Sequence, residues 1–136
     1  MEKEEVRSAL QEYAEKRLNA SAYEDCTHKF DLWECGKCGG ISFVATIERH
    51  ESDVPGDFHG ILRTSCPCGS AEVKLNVLAE GAVGVKAIGK PRCACGRDTF
   101  HIGICERWEN WSFFDEGTVV AMCGACGAMV DLVDTD

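Results

Sequence analysis

The sequence predicts a small, mostly β fold that is stabilised by metal and preceded by an N-terminal α-helix. Three observations support this fold class. Eight of the ten cysteines form four close pairs, each followed by glycine. Apolar and polar residues alternate over several short segments after residue 40, which is typical of half-buried strands. Before residue 20, apolar residues recur instead at helical spacing.

The paired cysteines are the strongest signal in the chain. Both halves of the sequence separate their two pairs by 27 residues. Four thiolates at such spacing form a closed tetrahedral site that suits Zn²⁺. We therefore expect two Zn²⁺ ions, bound by eight ligands: Cys35, Cys38, Cys66, Cys68, Cys93, Cys95, Cys123 and Cys126.

The spacing leaves two groupings of these pairs open. In a tandem grouping, the first two pairs hold one ion and the last two hold the other. In a nested grouping, the two inner pairs share an ion and the two outer pairs share the second. The equal spans favour the tandem grouping, because each half then contains one pair of each type.

The cysteine pairs and the glycines after them, Gly39, Gly69, Gly96 and Gly127, resemble the zinc-ribbon family over residues 35–133. The resemblance implies two ribbons, each a β-hairpin with two cysteine knuckles. We expect a helix and connector over 1–25, a first ribbon over 26–80 and a second over 81–136, packed as one unit. Two knuckles have one residue between their cysteines where the family usually has two. The nested grouping resembles the zinc domain of J-domain chaperones.

The elements follow in order along the chain. Residues 2 to about 20 are expected to form the amphipathic helix, with Val6, Leu10, Tyr13, Ala14 and Leu18 on one face. Residues 21–34 read as irregular. Strands are predicted near 41–47, 58–64, 73–78, 83–88, 100–105, 119–122 and 128–133. The spare cysteines Cys26 and Cys105, with His28, offer half of a third metal site, although a buried thiol beside a surface imidazole is the favoured interpretation.

Composition limits the cellular setting. The formal net charge is −9, and eight thiolates with two Zn²⁺ would lower it to about −13. The charged start of the chain does not resemble a signal peptide, and no apolar run is long enough to span a membrane. Clustered cysteines without such a signal favour metal ligation over disulfides. We expect a cytoplasmic protein that does not bind membranes.

No catalytic constellation stands out. A catalytic zinc ion keeps one coordination position for water, whereas four cysteines fill every position. The histidines at 28, 50, 59 and 101 are scattered, and we expect no enzymatic activity. The Cys-x-x-Cys-Gly loops also resemble those of rubredoxin, so an iron-containing electron carrier is an alternative. The one-residue knuckles count against it.

Two segments are candidates for binding a partner. Four aromatic residues lie close together in the second half: Trp108, Trp111, Phe113 and Phe114. They either cover a small core or anchor a protein partner. Residues 69–97 contain five cations and two carboxylates, and Lys86, Lys90, Arg92 and Arg97 form an alternative face for an anion or nucleic acid. The acidic total disfavours nonspecific nucleic-acid binding. We expect an interaction module for a protein, in transcription or another macromolecular assembly.

Overall fold

The computed structural model describes residues 2–18, 26–51, 58–77, 83–109 and 113–135. These residues form one helix and eight strands in a mostly β fold. The elements are α1 (Lys3–Leu18), β1 (Cys26–Leu32), β2 (Phe43–Glu51), β3 (Gly60–Ser65), β4 (Ala71–Val77), β5 (Val83–Gly89), β6 (Thr99–Glu109), β7 (Phe113–Cys123) and β8 (Met129–Thr135). The predicted helix is confirmed.

The strands form two antiparallel groups that exchange their first strands. Repeat 1 contains β1–β4 and repeat 2 contains β5–β8. The sheet order is β4-β3-β2-β6-β7-β8, with β1 added to β6 and β5 added to β2. Half-sheet I therefore consists of β5, β2, β3 and β4, and half-sheet II of β1, β6, β7 and β8. Each half-sheet receives its outer strand from the other repeat.

The half-sheets meet at a short pairing of β2 with β6. Phe43 pairs with Phe100, and Val44 pairs with Thr99. Phe43 and Phe100 are equivalent positions of the two repeats, because each lies five residues after the second cysteine of its knuckle. The repeats are thus related by an approximate twofold axis at this pair. Both phenylalanine side chains are buried.

Two hydrophobic cores lie on opposite faces of β6 and β7. The first core joins residues of both half-sheets, including Ala45, Ile47 and Leu62 from half-sheet I with Ile102 and Val119 from half-sheet II. The second core lies between α1 and half-sheet II. The buried apolar residues on the two faces of β6 and β7 therefore belong to one core or the other.

Helix α1 packs with the face that its spacing predicts. Its fully or nearly fully buried residues are Val6, Leu10, Ala14 and Leu18, one per turn. They contact an apolar surface that includes Cys105, Val120 and Met122. Arg17 near the end of the helix forms an ion pair of 2.8 Å with Asp131 of β8. The helix is therefore held by apolar contacts along its length and by charge at its end.

Half-sheet I has a different surface at the equivalent positions. Glu48 and Arg63 stand where Cys105 and Val120 stand in repeat 2. Their side chains form an ion pair of 3.8 Å, and Glu48 also contacts His50 at 2.9 Å. A polar surface has no need of an apolar cover. Among the described residues, a helix covers half-sheet II alone, in keeping with this difference.

The prediction of irregular structure over residues 21–34 is wrong for its second half, where Cys26–Leu32 forms β1. This strand pairs along its length with β6, and Phe30 lies against Gly103, where an added Cβ would be 2.6 Å from the ring. Local composition is a weak guide when a strand is ordered by such tertiary pairing. Lys29 and Asp31 are polar and exposed, and they interrupt the run of strand-forming residues in the sequence.

The C-terminal end of α1 has a buried cationic cap. Arg107 of β6 is buried and donates a hydrogen bond from Nη1 to the carbonyl oxygen of Leu18. The last carbonyl groups of a helix lack partners within the helix, and a cation interacts favourably with them. Arg107 thus links β6 to the end of the helix.

Arg107→Gln is expected to lower the free energy of unfolding by about 1.5–3 kcal/mol, because it removes a hydrogen bond to a charged donor. Hydrogen exchange of the α1 amides should accelerate more than that of β3 and β4. Arg92→Gln is the control, since Arg92 is exposed. Unchanged exchange in α1 would show that Arg107 does not hold the helix.

Candidate metal centres

The eight paired cysteines form two clusters of four. One contains Cys35, Cys38, Cys66 and Cys68, and the other contains Cys93, Cys95, Cys123 and Cys126. The Sγ atoms of each cluster all lie within 4.8 Å of one another. This is the tandem grouping, and the nested alternative does not occur. No other group of three or more potential ligands is found among the residues that the structure describes.

The sulfur–sulfur distances fit a tetrahedral ion. The closest contacts are 3.5 Å between Cys38 and Cys66 and 3.6 Å between Cys35 and Cys68. In the second cluster, Cys93 and Cys126 are 3.4 Å apart. A Zn–S distance of about 2.3 Å gives a tetrahedron with edges of about 3.8 Å. Each cluster thus has room for one ion of this size, whereas a disulfide needs sulfur atoms about 2.05 Å apart.

The knuckle turns are built by the backbone. The N–H of Gly39 donates to the carbonyl of Cys35 at 2.8 Å, and the N–H of Gly127 donates to that of Cys123 at 3.0 Å. These glycines have positive φ angles of 74° and 78°. Residues with a side chain rarely adopt such positive φ angles, whereas glycine adopts them readily. The turns bring both sulfurs of a knuckle to the same side of the chain.

Backbone donors also point at the sulfurs. The N–H of Gly40 is 3.4 Å from Sγ of Cys38, and the N–H of Ala125 is 3.4 Å from Sγ of Cys123. Such donors stabilise a thiolate and orient a metal ligand. Both clusters therefore contain the supporting contacts that a thiolate site needs.

Protonation is uneven within each cluster. Hydrogen bonds from the N–H groups of Cys38 and Lys37 lower the pKa of Cys35 to about 6. The N–H of Cys68 lowers the pKa of Cys66, but desolvation and contacts with neighbouring thiols raise it overall to about 12. Four thiolates this close repel one another, so a cation is required for all of them to ionise.

Each cluster lies at a crossing between the half-sheets. Cys35 and Cys38 occupy the connection from β1, in half-sheet II, to β2, in half-sheet I. Their partner knuckle connects β3 to β4 within half-sheet I. The second cluster repeats this arrangement with the half-sheets interchanged. An ion at either cluster would therefore hold the exchanged strand next to the half-sheet that its own repeat supplies.

Exposure divides each cluster in the same way. Cys35, Cys66, Cys93 and Cys123 are buried, and Cys38, Cys68, Cys95 and Cys126 are exposed. The clusters thus lie at the protein surface, with one side towards the core. Sulfur would still fill all four positions around an ion, which leaves none for a substrate.

The first cluster has an ion pair that the sequence did not reveal. Glu72 accepts a hydrogen bond from the N–H of Gly36 at 3.2 Å and contacts Lys74 at 2.7 Å. The hydrogen bond from Lys74, the Gly36 N–H and the charge of Lys74 lower the pKa of Glu72. The Glu-x-Lys spacing places both side chains on one face of β4. This spacing was the signal in the sequence from which the ion pair could have been predicted. Lys74 is therefore engaged in positioning the knuckle.

Cys105 belongs to the second core. Its side chain is fully buried below α1, and desolvation, with the nearby charges of Glu15 and Glu106, raises its pKa to about 12. The side chain of Cys26 lies outside the described residues, while His28 is half-buried on β1. The structure does not gather a third metal site from the described residues.

Cys105 is expected to resist alkylation in the folded protein at pH 7–9, because the thiol stays neutral and buried. An unfolded thiol ionises above about pH 8.5. The free energy of unfolding should therefore be unaffected by Cys105 below that pH and fall as the pH rises from there to about 12. Mass-spectrometric alkylation rates test the first expectation, and urea unfolding of the parent and Cys105→Ala tests the second. Rapid alkylation without unfolding would contradict the burial of this thiol.

The aromatic candidates lie at the β6–β7 hairpin. Trp108 is half-buried, with Nζ of Lys29 4.4 Å from the centre of its ring. The backbone of Phe113 pairs with Glu109, and that of Phe114 pairs with Trp108. The side chains of both phenylalanines and all of Trp111 lie outside the described residues. The pairing thus places Trp108 beside Phe114 on neighbouring strands.

The basic candidates lie in the chain on either side of the knuckle formed by Cys93 and Cys95. Lys90, Arg92 and Arg97 are exposed on the segment between β5 and β6. Lys86 is part of β5, and its side chain lies outside the described residues. The structure thus shows three exposed cations close to this knuckle in the chain, Lys90, Arg92 and Arg97.

Comparison with known protein families, curated proteins and solved structures finds no match. Within the described part of the chain, no helix has the length and apolar character needed to cross a membrane. The chemistry of the two four-cysteine clusters is therefore the main guide to function.

Proposed function

We propose that this protein is a non-catalytic interaction module whose fold is held together by two Zn²⁺ ions. The observation that carries the proposal is the pair of four-sulfur clusters with contacts of 3.4–3.6 Å. Closed sulfur sites of this kind stabilise small folds and bind no substrate. Two structural ions suit a short chain with a modest core.

Zinc is favoured over iron by the spacing within the knuckles. Rubredoxin-type sites use two residues between the cysteines, whereas one knuckle of each cluster here has a single residue, Pro67 or Ala94. Zinc-ribbon knuckles resemble these turns, and the positive φ of the glycines supports the same comparison. The strand exchange would make this a pair of ribbons joined through their first strands. We place the protein in a reducing, cytoplasmic setting, where thiols remain available for metal.

Elemental analysis and native mass spectrometry are expected to find two zinc ions per chain. Chelation should release them and unfold the strands, because a structural zinc ion contributes about 10–16 kcal/mol. Cys105→Ala should retain both ions and serves as the control. A reduced protein that keeps its circular dichroism without metal would overturn the proposal, and a stable form that contains only iron would favour an electron carrier.

We propose a protein as the partner of the module. The aromatic side chains at the β6–β7 hairpin support this choice, because large aromatic residues frequently anchor interfaces. The net charge of −9 also disfavours nonspecific binding to nucleic acid. The nucleic-acid alternative depends on Lys86, Lys90, Arg92 and Arg97.

Trp111→Ala with Phe114→Ala is expected to weaken partner capture at least tenfold and leave zinc content unchanged, since removal of an interface anchor costs about 2 kcal/mol or more. Affinity purification with quantitative mass spectrometry measures the loss. Replacing the four basic residues with glutamine is the matched comparison. If the aromatic double variant unfolds, the hairpin belongs to the core and does not anchor a partner.

A further inference from the structure

Strand β5 is unusually exposed for a strand in a small protein. Val85 retains 50% and Ile88 retains 65% of their accessible surface. Ala87, Gly89 and Lys90 are also exposed. Within the described chain, β5 pairs only with β2, so its other edge has backbone groups available for a further strand.

The approximate twofold relation provides an internal comparison. In repeat 1, the positions equivalent to Val85 and Ile88 are His28 and Phe30, because Phe30 pairs with Cys105 as Ile88 pairs with Glu48. Phe30 is half-buried and packs against the second core below α1. Among the described residues, α1 covers half-sheet II alone, so Ile88 keeps 65% of its accessible surface where its counterpart is partly covered.

A groove runs beside this strand. It has a volume of about 290 Å³ and is lined by Ile47, Ala87, Ile88 and Pro91, together with the cations Arg49 and Lys90. The guanidinium carbon of Arg49 lies 5.4 Å from the ring centre of Phe58, a distance within cation–π range. The groove thus combines an apolar floor with two positive charges.

We propose that the β5 edge and this groove bind an extended segment of a protein partner that carries alternating apolar and acidic side chains. The segment would pair with β5 through its backbone, place an apolar side chain on Ile88 and direct a carboxylate towards Arg49 and Lys90. Backbone pairing supplies affinity in this mode, and side-chain pockets supply specificity. The proposal rests on the proposed role as a protein-binding module, but not on the aromatic hairpin.

The surface favours a peptide over the other occupants. Among the described residues that line the groove, none is an aromatic residue on which a base could stack, and the apolar floor offers nothing to a phosphate chain. A second copy of this chain would bring its own Lys90 to a surface that is already positive. An acidic, apolar peptide complements both the charge and the floor.

The test uses the full chain loaded with zinc and a phage-displayed library of random eight-residue peptides. We expect enrichment of peptides with alternating apolar and acidic residues. A synthetic enriched peptide should shift the amide resonances of residues 83–91. Its affinity should fall at least tenfold in Ile88→Asp, which places a negative charge on the apolar floor, and in Lys90→Glu.

Val73→Asp and Arg97→Glu are the matched controls and should keep the parent affinity. Val73 is 55% exposed on β4, at the opposite edge of half-sheet I. The inference is overturned if no peptide is enriched, or if enriched peptides bind Ile88→Asp as well as the parent. It is also overturned if a single-stranded oligonucleotide or a second copy of the chain occupies this edge instead.

These outcomes separate the inference from the proposed function. If only the Trp111→Ala, Phe114→Ala variant loses binding, the protein is still a protein-binding module, but β5 is not its binding surface. If the chain folds without metal, the proposed zinc-stabilised module is overturned, whether or not peptides bind to β5.

Discussion

Cys38→Ser is expected to unfold both half-sheets, although it changes a single exposed side chain of the first cluster. A structural zinc ion, as proposed for each cluster, contributes about 10–16 kcal/mol, which equals or exceeds the whole stability of a typical domain. Because β1 and β5 are exchanged between the half-sheets, damage at one cluster should extend to the other. Cys126→Ser should have the same effect from the second cluster.

Native mass spectrometry and hydrogen exchange measure this coupling. We expect the variant to lose its second ion at chelator concentrations that the parent resists, and β6–β8 to lose protection together with β2–β4. Cys105→Ala controls for the loss of a thiol outside both clusters. A variant that keeps one ion and a fully protected half-sheet II would show that the two clusters act independently.

Phe43→Ala and Phe100→Ala are each expected to lower the free energy of unfolding by about 3–5 kcal/mol, because each leaves a cavity at a fully buried site. The two residues pair at the axis between the repeats. Their effects should therefore not add, with a coupling of about 0.5–3 kcal/mol in a double-mutant cycle. Urea unfolding of the zinc-loaded protein provides the four stabilities.

Val73→Ala is the matched control for this cycle. Its side chain is largely exposed, and such substitutions change stability by about 0.5 kcal/mol or less. If the two phenylalanine variants prove additive, the pairing of β2 with β6 does not connect the half-sheets energetically.

Local patterns predicted much of this structure. Val6, Leu10, Ala14 and Leu18 identified the buried face of α1, because helical spacing is a property of the segment itself. The alternation in residues 100–105 likewise predicted part of β6. The equal spans between cysteines favoured the grouping that the structure shows.

Long-range pairing could not be predicted in the same way. Residues Cys26–Leu32 lack a strong strand pattern, and their order comes from pairing with β6. Nothing in β5 itself indicates that its partner is β2 of the other repeat. The exposed Ile88 and the groove beside it result from this exchange, so the candidate binding edge also had no local signal.

The strand exchange has a consequence for synthesis on the ribosome. Strand β1 is made early, but Leu32 must wait for Gly103 to emerge before the two can pair. At about 5–20 residues per second, this delay lasts several seconds. Helix α1 waits as well, because Val120 and Met122, which cover its apolar face, are made later still. The nascent chain would expose that face until Val120 and Met122 have left the ribosome.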